Sequence, residues 1–254
     1  MTCDSELGWT SAACTDVGLV RSRNEDAWLA QPERGLWAVA DGMGGHAFGD
    51  VASNKVTNAL AAMAAPQDMA QFAAAASDAM ARVNHELRAE AIARSVPVMG
   101  STVVIMLACG TEIACLWAGD SRIYLYRKSR LQQLTRDHSQ AEELRARGIA
   151  PDSAAAAPGA NMITRAVGAT DALELELAAL QARDGDMFLL CSDGLSNAVD
   201  EPAIMAALAP GDCARAAQDL LEQALANGGR DNITAVVVRA DDVSADKTVV
   251  NPAL

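Results

Sequence analysis

The stretch WAVADGMGGHAFGD, residues 37–50, rises through an apolar run, stops on an acid at Asp41 and then turns through a crowd of glycines. Such a run, bounded by turn residues, reads as a buried strand, and an aspartate at its end must give up much of its water. A second stretch, MFLLCSDGL at 187–195, repeats the pattern with Asp193 and Gly194. CLWAGD at 115–120 repeats it with Asp120, and GGRDNITAVVVR at 228–239 inverts it, with Asp231 ahead of the strand. In antiparallel neighbours, strand ends and strand starts share a rim. Glu25, Asp26, Asp41, Asp120, Asp193 and Asp231 are therefore expected to gather at one edge of a sandwich.

Turn arithmetic refines this expectation. A hairpin turning through QPERG (31–35), centred near Glu33, sets Glu25 opposite Asp41. A turn centred at Gly110 and Thr111 likewise sets Ser101 opposite Asp120.

Working outward, strand patterns occur at 26–30, 35–40, 102–109, 112–118, 122–126, 131–134, 173–178, 187–192 and 233–239. Helical spacing fills 47–64 and 68–94, and returns at 139–147, 201–209 and 212–226. This order lacks the βαβα alternation of a parallel sheet. Two antiparallel sheets packed face to face, with helix pairs outside, account for it, which makes the fold class α+β. A single domain over 1–240 is expected, because no linker composition divides the chain. The segment 139–162, which contains PDSAAAAPGA, reads as a mobile insert, and 241–254 as a loose tail.

Composition narrows the function. The net charge of −13, with scattered basic residues, argues against nucleic acid and anionic membranes as partners. No signal segment or membrane-spanning run is legible, so a cytoplasmic chain is expected. The six cysteines form no Cys-x-x-Cys pair and read as small buried hydrophobes without a disulfide framework. Three histidines, His46, His85 and His138, are too few and too scattered for a zinc site.

Singly, each acid is well explained as a turn residue. Together they repel, and their ionised forms are costly unless cations or protons intervene. Hard divalent ions take carboxylate, carbonyl and water oxygens, and a glycine beside the acid leaves its own carbonyl free to join. Gly42 and Gly194 stand in that position, Gly42 with a Gly-rich bend behind it.

Eight ordered motifs make a more specific signal: TDVGLVRSRNEDAW (15–28), ADGMGGHAFGDVAS (40–53), GSTVV (100–104), AGDSRIYLY (118–126), LTRDHS (134–139), ITRAVG (163–168), LLCSDGL (189–195) and DNITAVVV (231–238). In order and content they resemble the metal-dependent protein phosphatases of the type 2C or PPM class, above all the bacterial Ser/Thr phosphatases that oppose Hanks-type kinases. The resemblance implies an αββα sandwich with two Mg²⁺ or Mn²⁺ ions at one end. It makes Asp41 the ligand shared by both ions, gives Asp193 and Asp231 to the first ion, and gives the Gly42 carbonyl and Glu25 to the second. Asp120 with Asp193 matches the place of a third, weaker ion. Arg21 matches the arginine that grips the substrate phosphate, Asn232 a support for bound water, and Asp26 a group behind the ligands.

The same resemblance implies that a hydroxide between the two ions attacks phosphorus without a phosphoenzyme. It implies phosphorylated proteins as substrates, a cognate Ser/Thr kinase as partner, a monomer, and for so compact a chain a place in type VI secretion regulation. The insert 139–162 falls where relatives carry a flap. The chain departs from many eukaryotic members at Met43, where they place a histidine. His46, three residues later, is either a substrate contact or a capping residue of the turn. His138 is read as structural, and His85 as a solvated helix residue. Two rivals remain: a catalytically silent phosphoprotein-binding module of the same fold, and a metal-dependent nuclease, which the charge disfavours.

Overall fold

The computed structural model describes residues 7–43, 48–64, 67–150, 153, 159–160 and 162–243. His46, residues 151–152, 154–158 and 161 of the expected flap, and the tail from 244 onward lie outside the described residues.

Eleven strands are seen among these residues: β1 (Leu7–Asp16), β2 (Asp26–Gln31), β3 (Leu36–Met43), β4 (Gly100–Ser101), β5 (Val103–Cys109), β6 (Glu112–Ala118), β7 (Arg122–Arg127), β8 (Arg130–Gln133), β9 (Glu176–Gln181), β10 (Met187–Cys191) and β11 (Ile233–Asp242). They form two antiparallel sheets. One has the order β1-β11-β10-β7-β8, the other β2-β3-β5-β6-β9 with β4 beside β3. The helices are α1 (Gly49–Ala61), α2 (Met69–Arg94), α3 (Gln140–Ala146), α4 (Asp193–Ser196), α5 (Glu201–Leu208) and α6 (Cys213–Ala226).

The central strands are apolar on both faces because both faces are covered. Alternation along β3 sends Trp37 and Val39 between the sheets, against Phe188, Leu190, Val236 and Val238. It sends Leu36, Ala38 and Ala40 to the other side, under Val56 and Leu60 of α1 and Met80 and Leu87 of α2. On the far sheet, Leu189, Cys191 and Val237 pack beneath Ile204 of α5 and Ala217 and Leu220 of α6. The layers are thus helix, sheet, sheet, helix, as expected. Asp68, Asp200 and Asp212 cap α2, α5 and α6, each accepting a hydrogen bond from a backbone N–H three residues on.

Four expectations need correction. β1 was not anticipated: LGWTSAACTD mixes small and polar residues, yet it pairs with β11 along its whole length and sends Leu7, Trp9 and Ala13 into the inter-sheet core. The strand expected at 173–178 forms at Glu176–Gln181, where Ala178 and Leu180 pack into the inter-sheet core. β11 runs on to Asp242, so the first two residues assigned to the tail belong to a strand. Finally, Gln31 pairs with Leu36, so the loop after β2 holds four residues, which form a 3₁₀ turn closed by Gly35 at φ 64°, and Asp26, not Glu25, faces Asp41. The β5–β6 turn matches the expected arithmetic, with Val103 opposite Ala118.

Cys14, Cys115, Cys191 and Cys213 are free thiols in buried or half-buried places. Cys109 is disulfide-bonded, a cross-link that composition did not suggest. Among the described residues no helix is long and apolar enough to cross a membrane.

Candidate active site

The acids meet at one rim because β3 and β10 end there, β2 and β11 begin there, and Asp120 leaves β6 there. Asp41 is held from behind. Its N–H donates to Thr102 Oγ1 at 3.1 Å, and its carbonyl accepts from Thr102 N at 2.8 Å and Ser101 Oγ at 3.0 Å. Thr102 Oγ1 in turn lies 2.7 Å from Ser121 Oγ, just beyond Asp120. Main-chain and hydroxyl partners thus occupy the backbone of Asp41 and leave its carboxyl facing the rim.

Asp193 opens the short helix α4, so the strand ends two residues before the acid, at Cys191, rather than on it. Gly194 is needed at that bend: a Cβ there would lie 2.0 Å from the Asn232 carbonyl oxygen. Gly42 is equally constrained, since a Cβ would lie 2.1 Å from the Gly49 carbonyl oxygen and 2.6 Å from that of Glu25. Glu25 thereby packs its main chain on Gly42, whose N–H it accepts at 3.1 Å, while its carboxyl reaches the first residue of α1.

Burial and mutual repulsion govern the charge state. Burial first, then Asp26, Asp193, Asp120 and Asp231, hold the Asp41 carboxyl far above the usual carboxylate range. Burial and Asp231 raise Asp193, while Asp41, within hydrogen-bonding reach, partly offsets the rise. Burial, then Asp193 and Asp137, push Asp120 up to about 7. Asp26 is raised to about 6 by burial, despite a 2.8 Å hydrogen bond from Ser192 Oγ. One oxygen each of Asp26 and Asp120 is buried with no hydrogen-bond donor among the described residues.

Two arginines offset this group: Arg21 Nη2 lies 2.8 Å from Asp231 Oδ2, and Arg122 acts on Asp120 and Asp193 from the neighbouring cavity. Arg21, Arg23, Glu25, Asp41, Asp193 and Asp231 line a cleft of about 670 Å³, together with Met43 and Asn232. Asn232 is buried and ties the loop before β2 to β11. Its Nδ2 donates to Val17 O at 2.9 Å and Arg23 O at 2.8 Å, and its Oδ1 accepts from Glu25 N at 2.8 Å. Asp193 also forms the wall of a smaller cavity of about 120 Å³, lined by Asp120, Arg122, Asp137 and Ser196.

The chemistry of this donor set suits hard cations: clustered carboxyls, unpartnered buried oxygens and too little positive charge. Among the described residues no three His, Cys, Asp or Glu side chains yet surround a common point. Asp231 meets Arg21, and Asp193 meets Asn197 on one oxygen while lying within hydrogen-bonding reach of Asp41.

A family model described as "Protein phosphatase 2C" matches residues 20–228, a span that includes Arg21, Glu25, Asp41, Asp120 and Asp193. The chain belongs to the protein phosphatase 2C family. It is 39% identical over 252 residues to the serine/threonine protein phosphatase PstP of Mycobacterium tuberculosis, covering 96% of this chain and 47% of that protein. The chain thus spans about half the length of that curated relative. Against the serine/threonine phosphatase stp of Listeria monocytogenes it is 33% identical over 238 residues, covering 89% of this chain and 94% of the relative. Among solved structures, PppA, "a key regulatory component of T6SS in Pseudomonas aeruginosa", superposes with TM-score 0.86 at 44% identity, covering 91% of this chain and 97% of that one. The PstP catalytic domain "in complex with 2 Manganese ions" superposes with TM-score 0.84 at 38% identity, covering 93% and 100%. The αββα architecture of this chain is that of the family.

Within this 2C fold the remaining residues fall into place. Met43 lines the cleft where a histidine was looked for. His138 is buried and structural: its Nδ1 accepts from Gly119 N at 3.2 Å, and its ring stacks on Trp117. His85 is exposed on α2. Sequence reasoning assigned no role to Thr102, Ser121 or Ser192, or to the clamp in which Arg122 grips Asp137 through Nε (3.0 Å) and Nη2 (2.7 Å). The signal for Ser192 was its place directly before Asp193, at the end of an apolar strand.

Proposed function

We propose that this chain is a metal-dependent protein serine/threonine phosphatase, with its catalytic domain within residues 1–240. The observation that carries the reading is the desolvated group of Asp41, Asp120 and Asp193 beside Asp231, with Arg21 alone offsetting it within hydrogen-bonding distance. Asp41, Asp193, Asp231, Glu25 and the Gly42 carbonyl would hold two Mn²⁺ or Mg²⁺ ions, and Asp120 with Asp193 a third, weaker one. Such ions supply the charge that activates water and offsets the phosphoryl oxygens.

The chain's own groups do the rest. Arg21, half-exposed and held by a single contact from Nη2 to Asp231 Oδ2, is placed to exchange Asp231 for phosphate, whose oxygens its guanidinium fork can meet at two points. Asn232 fixes the loop that carries Arg21, which limits the reorganisation left for substrate binding. Asp26 and Ser192 hold β2, β10 and β11 in register behind the site. A cysteine nucleophile is disfavoured, because Cys191, two residues before Asp193, is fully buried beneath the helices with its pKa pushed up to about 12.

The substrates are phosphorylated serines and threonines of proteins, with His46 as a candidate contact. By analogy with PppA, described as a regulatory component of T6SS, type VI secretion regulation supplies the setting, and a Hanks-type kinase is proposed as the opposing partner. The chain is proposed to act as a cytoplasmic monomer. Hydrolysis of a phosphothreonine peptide with and without Mn²⁺ tests the reading, comparing the native chain with Asp193→Ala. Mn²⁺-dependent turnover by the native chain and its loss in the variant are expected; unchanged turnover in the variant would remove the site assignment.

A further inference from the structure

Two arginines line the cleft, and they are not equivalent. Arg21 is engaged by Asp231, whereas Arg23, also exposed, meets no described carboxylate. A free guanidinium beside a group of acids, on a chain of net charge −13, would be expected to fold back onto one of them. Its backbone does not let it drift. Asn232 holds the carbonyl of Arg23 and the N–H of Glu25, Leu19 N donates to Gly229 O at 2.7 Å, and Gly18 N donates to Asp16 Oδ1 at 2.7 Å. With the bonds from Asn232 Nδ2 to Val17 O and from Gly42 N to Glu25 O, the loop from Val17 to Glu25 is fastened at six points, which fixes the backbone of Arg23 on the cleft wall.

We propose that Arg23 is a specificity-determining residue of this cleft, reading an anionic side chain that flanks the phosphorylated serine or threonine of the substrate. The inference rests on the phosphatase reading. Arg21 takes the phosphate to be removed, and Arg23 sits two residues along the same bent loop, with its Cα at most about 7 Å from that of Arg21. A substrate peptide advances by a similar step, so an anion one to three residues from the phosphorylated position reaches Arg23. Aspartate, glutamate and a second phosphorylated residue share the required chemistry, a planar or forked set of anionic oxygens. Without Arg23 an acidic flank would meet only the negative field of the rim and of the chain as a whole.

The test uses the full chain with Mn²⁺ and four phosphothreonine peptides that differ at one position two residues from the phosphothreonine: Glu, phosphoserine, Gln and Lys. For the native chain, KM for the Glu peptide should be about threefold below that for Gln, the scale of one exposed ion pair, and Lys should be worse than Gln. A preference shown by both anionic peptides assigns charge as the feature read; a preference for phosphoserine alone narrows the ligand to a second phosphate. Arg23→Ala should bring the Glu to Gln ratio to one and Arg23→Glu should invert it, while kcat/KM for p-nitrophenyl phosphate in Arg23→Ala stays at the native value. Arg82→Ala, an exposed arginine on α2, should leave the ratio unchanged. A preference that survives in Arg23→Ala, a native chain without preference, or an equal loss on p-nitrophenyl phosphate overturns the proposal. Failure of the native chain to hydrolyse p-nitrophenyl phosphate overturns the phosphatase reading instead. Fluorescence anisotropy with the same peptides then decides on Arg23 by the same ratios in Kd.

Discussion

Asp26→Asn removes a charge without changing shape, and its effect on stability follows from the surroundings of the residue. Asp26 is buried, accepts a hydrogen bond from Ser192 Oγ, and titrates in the folded chain at about 6 rather than 3.8. A carboxyl raised by folding binds its proton more tightly in the native state than in the unfolded one. Stability is therefore full below pH 3.8, falls as pH rises through the interval to about 6, and stays low above it. The rise of roughly two units corresponds to about 3 kcal/mol at most, since the neighbouring carboxyls titrate with it. Asparagine keeps the acceptor for Ser192 and carries no charge to desolvate. In EDTA at pH 7.5 the variant should therefore melt above the native chain, by about 5 to 10 °C for a chain of this size. At pH 4 the gap should shrink toward zero. Differential scanning calorimetry across pH 4 to 8 reads both numbers. A variant less stable than the native chain at pH 7.5, or a gap independent of pH, would refute the claim that desolvated charge dominates this rim.

Other outcomes follow from the same geometry. Gly194→Ala should lower Mn²⁺-dependent turnover about a hundredfold with the far-UV spectrum retained, because the added methyl meets the Asn232 carbonyl and displaces Asp193. Trp37→Ala, which opens a hole between the sheets, should cost about 3 to 5 kcal/mol in urea unfolding while leaving the rim residues in place. Deleting residues 146–160 should reduce activity on phosphoproteins more than on p-nitrophenyl phosphate; equal losses would remove the flap from substrate access.

Much of the layered fold was legible because the central strands are long apolar runs closed by turn residues. Leu36 to Ala40, Val103 to Ala108 and Ile233 to Val238 are buried on both faces and could hardly be anything else. β1 was not legible, since Ser11 interrupts the apolar alternation of Leu7, Trp9 and Ala13 and the partner strand β11 lies more than two hundred residues away. The exchange of Glu25 for Asp26 opposite Asp41 came from one residue of loop length, which a sequence does not count. Convergence of the acids was readable from strand polarity alone. The supports behind them, Thr102, Ser121 and Ser192, were not, because a buried hydroxyl shows its role only once its partner is in place.

The central claim is that these acids form one cage for divalent cations. Isothermal titration of the metal-free chain with Mn²⁺, set beside Asp41→Asn, measures it directly. The account predicts two ions bound per native chain, as in the PstP catalytic domain, and the loss of at least one in the variant. A native chain that takes up no Mn²⁺, or a variant that binds as many ions with the same affinity, would contradict it.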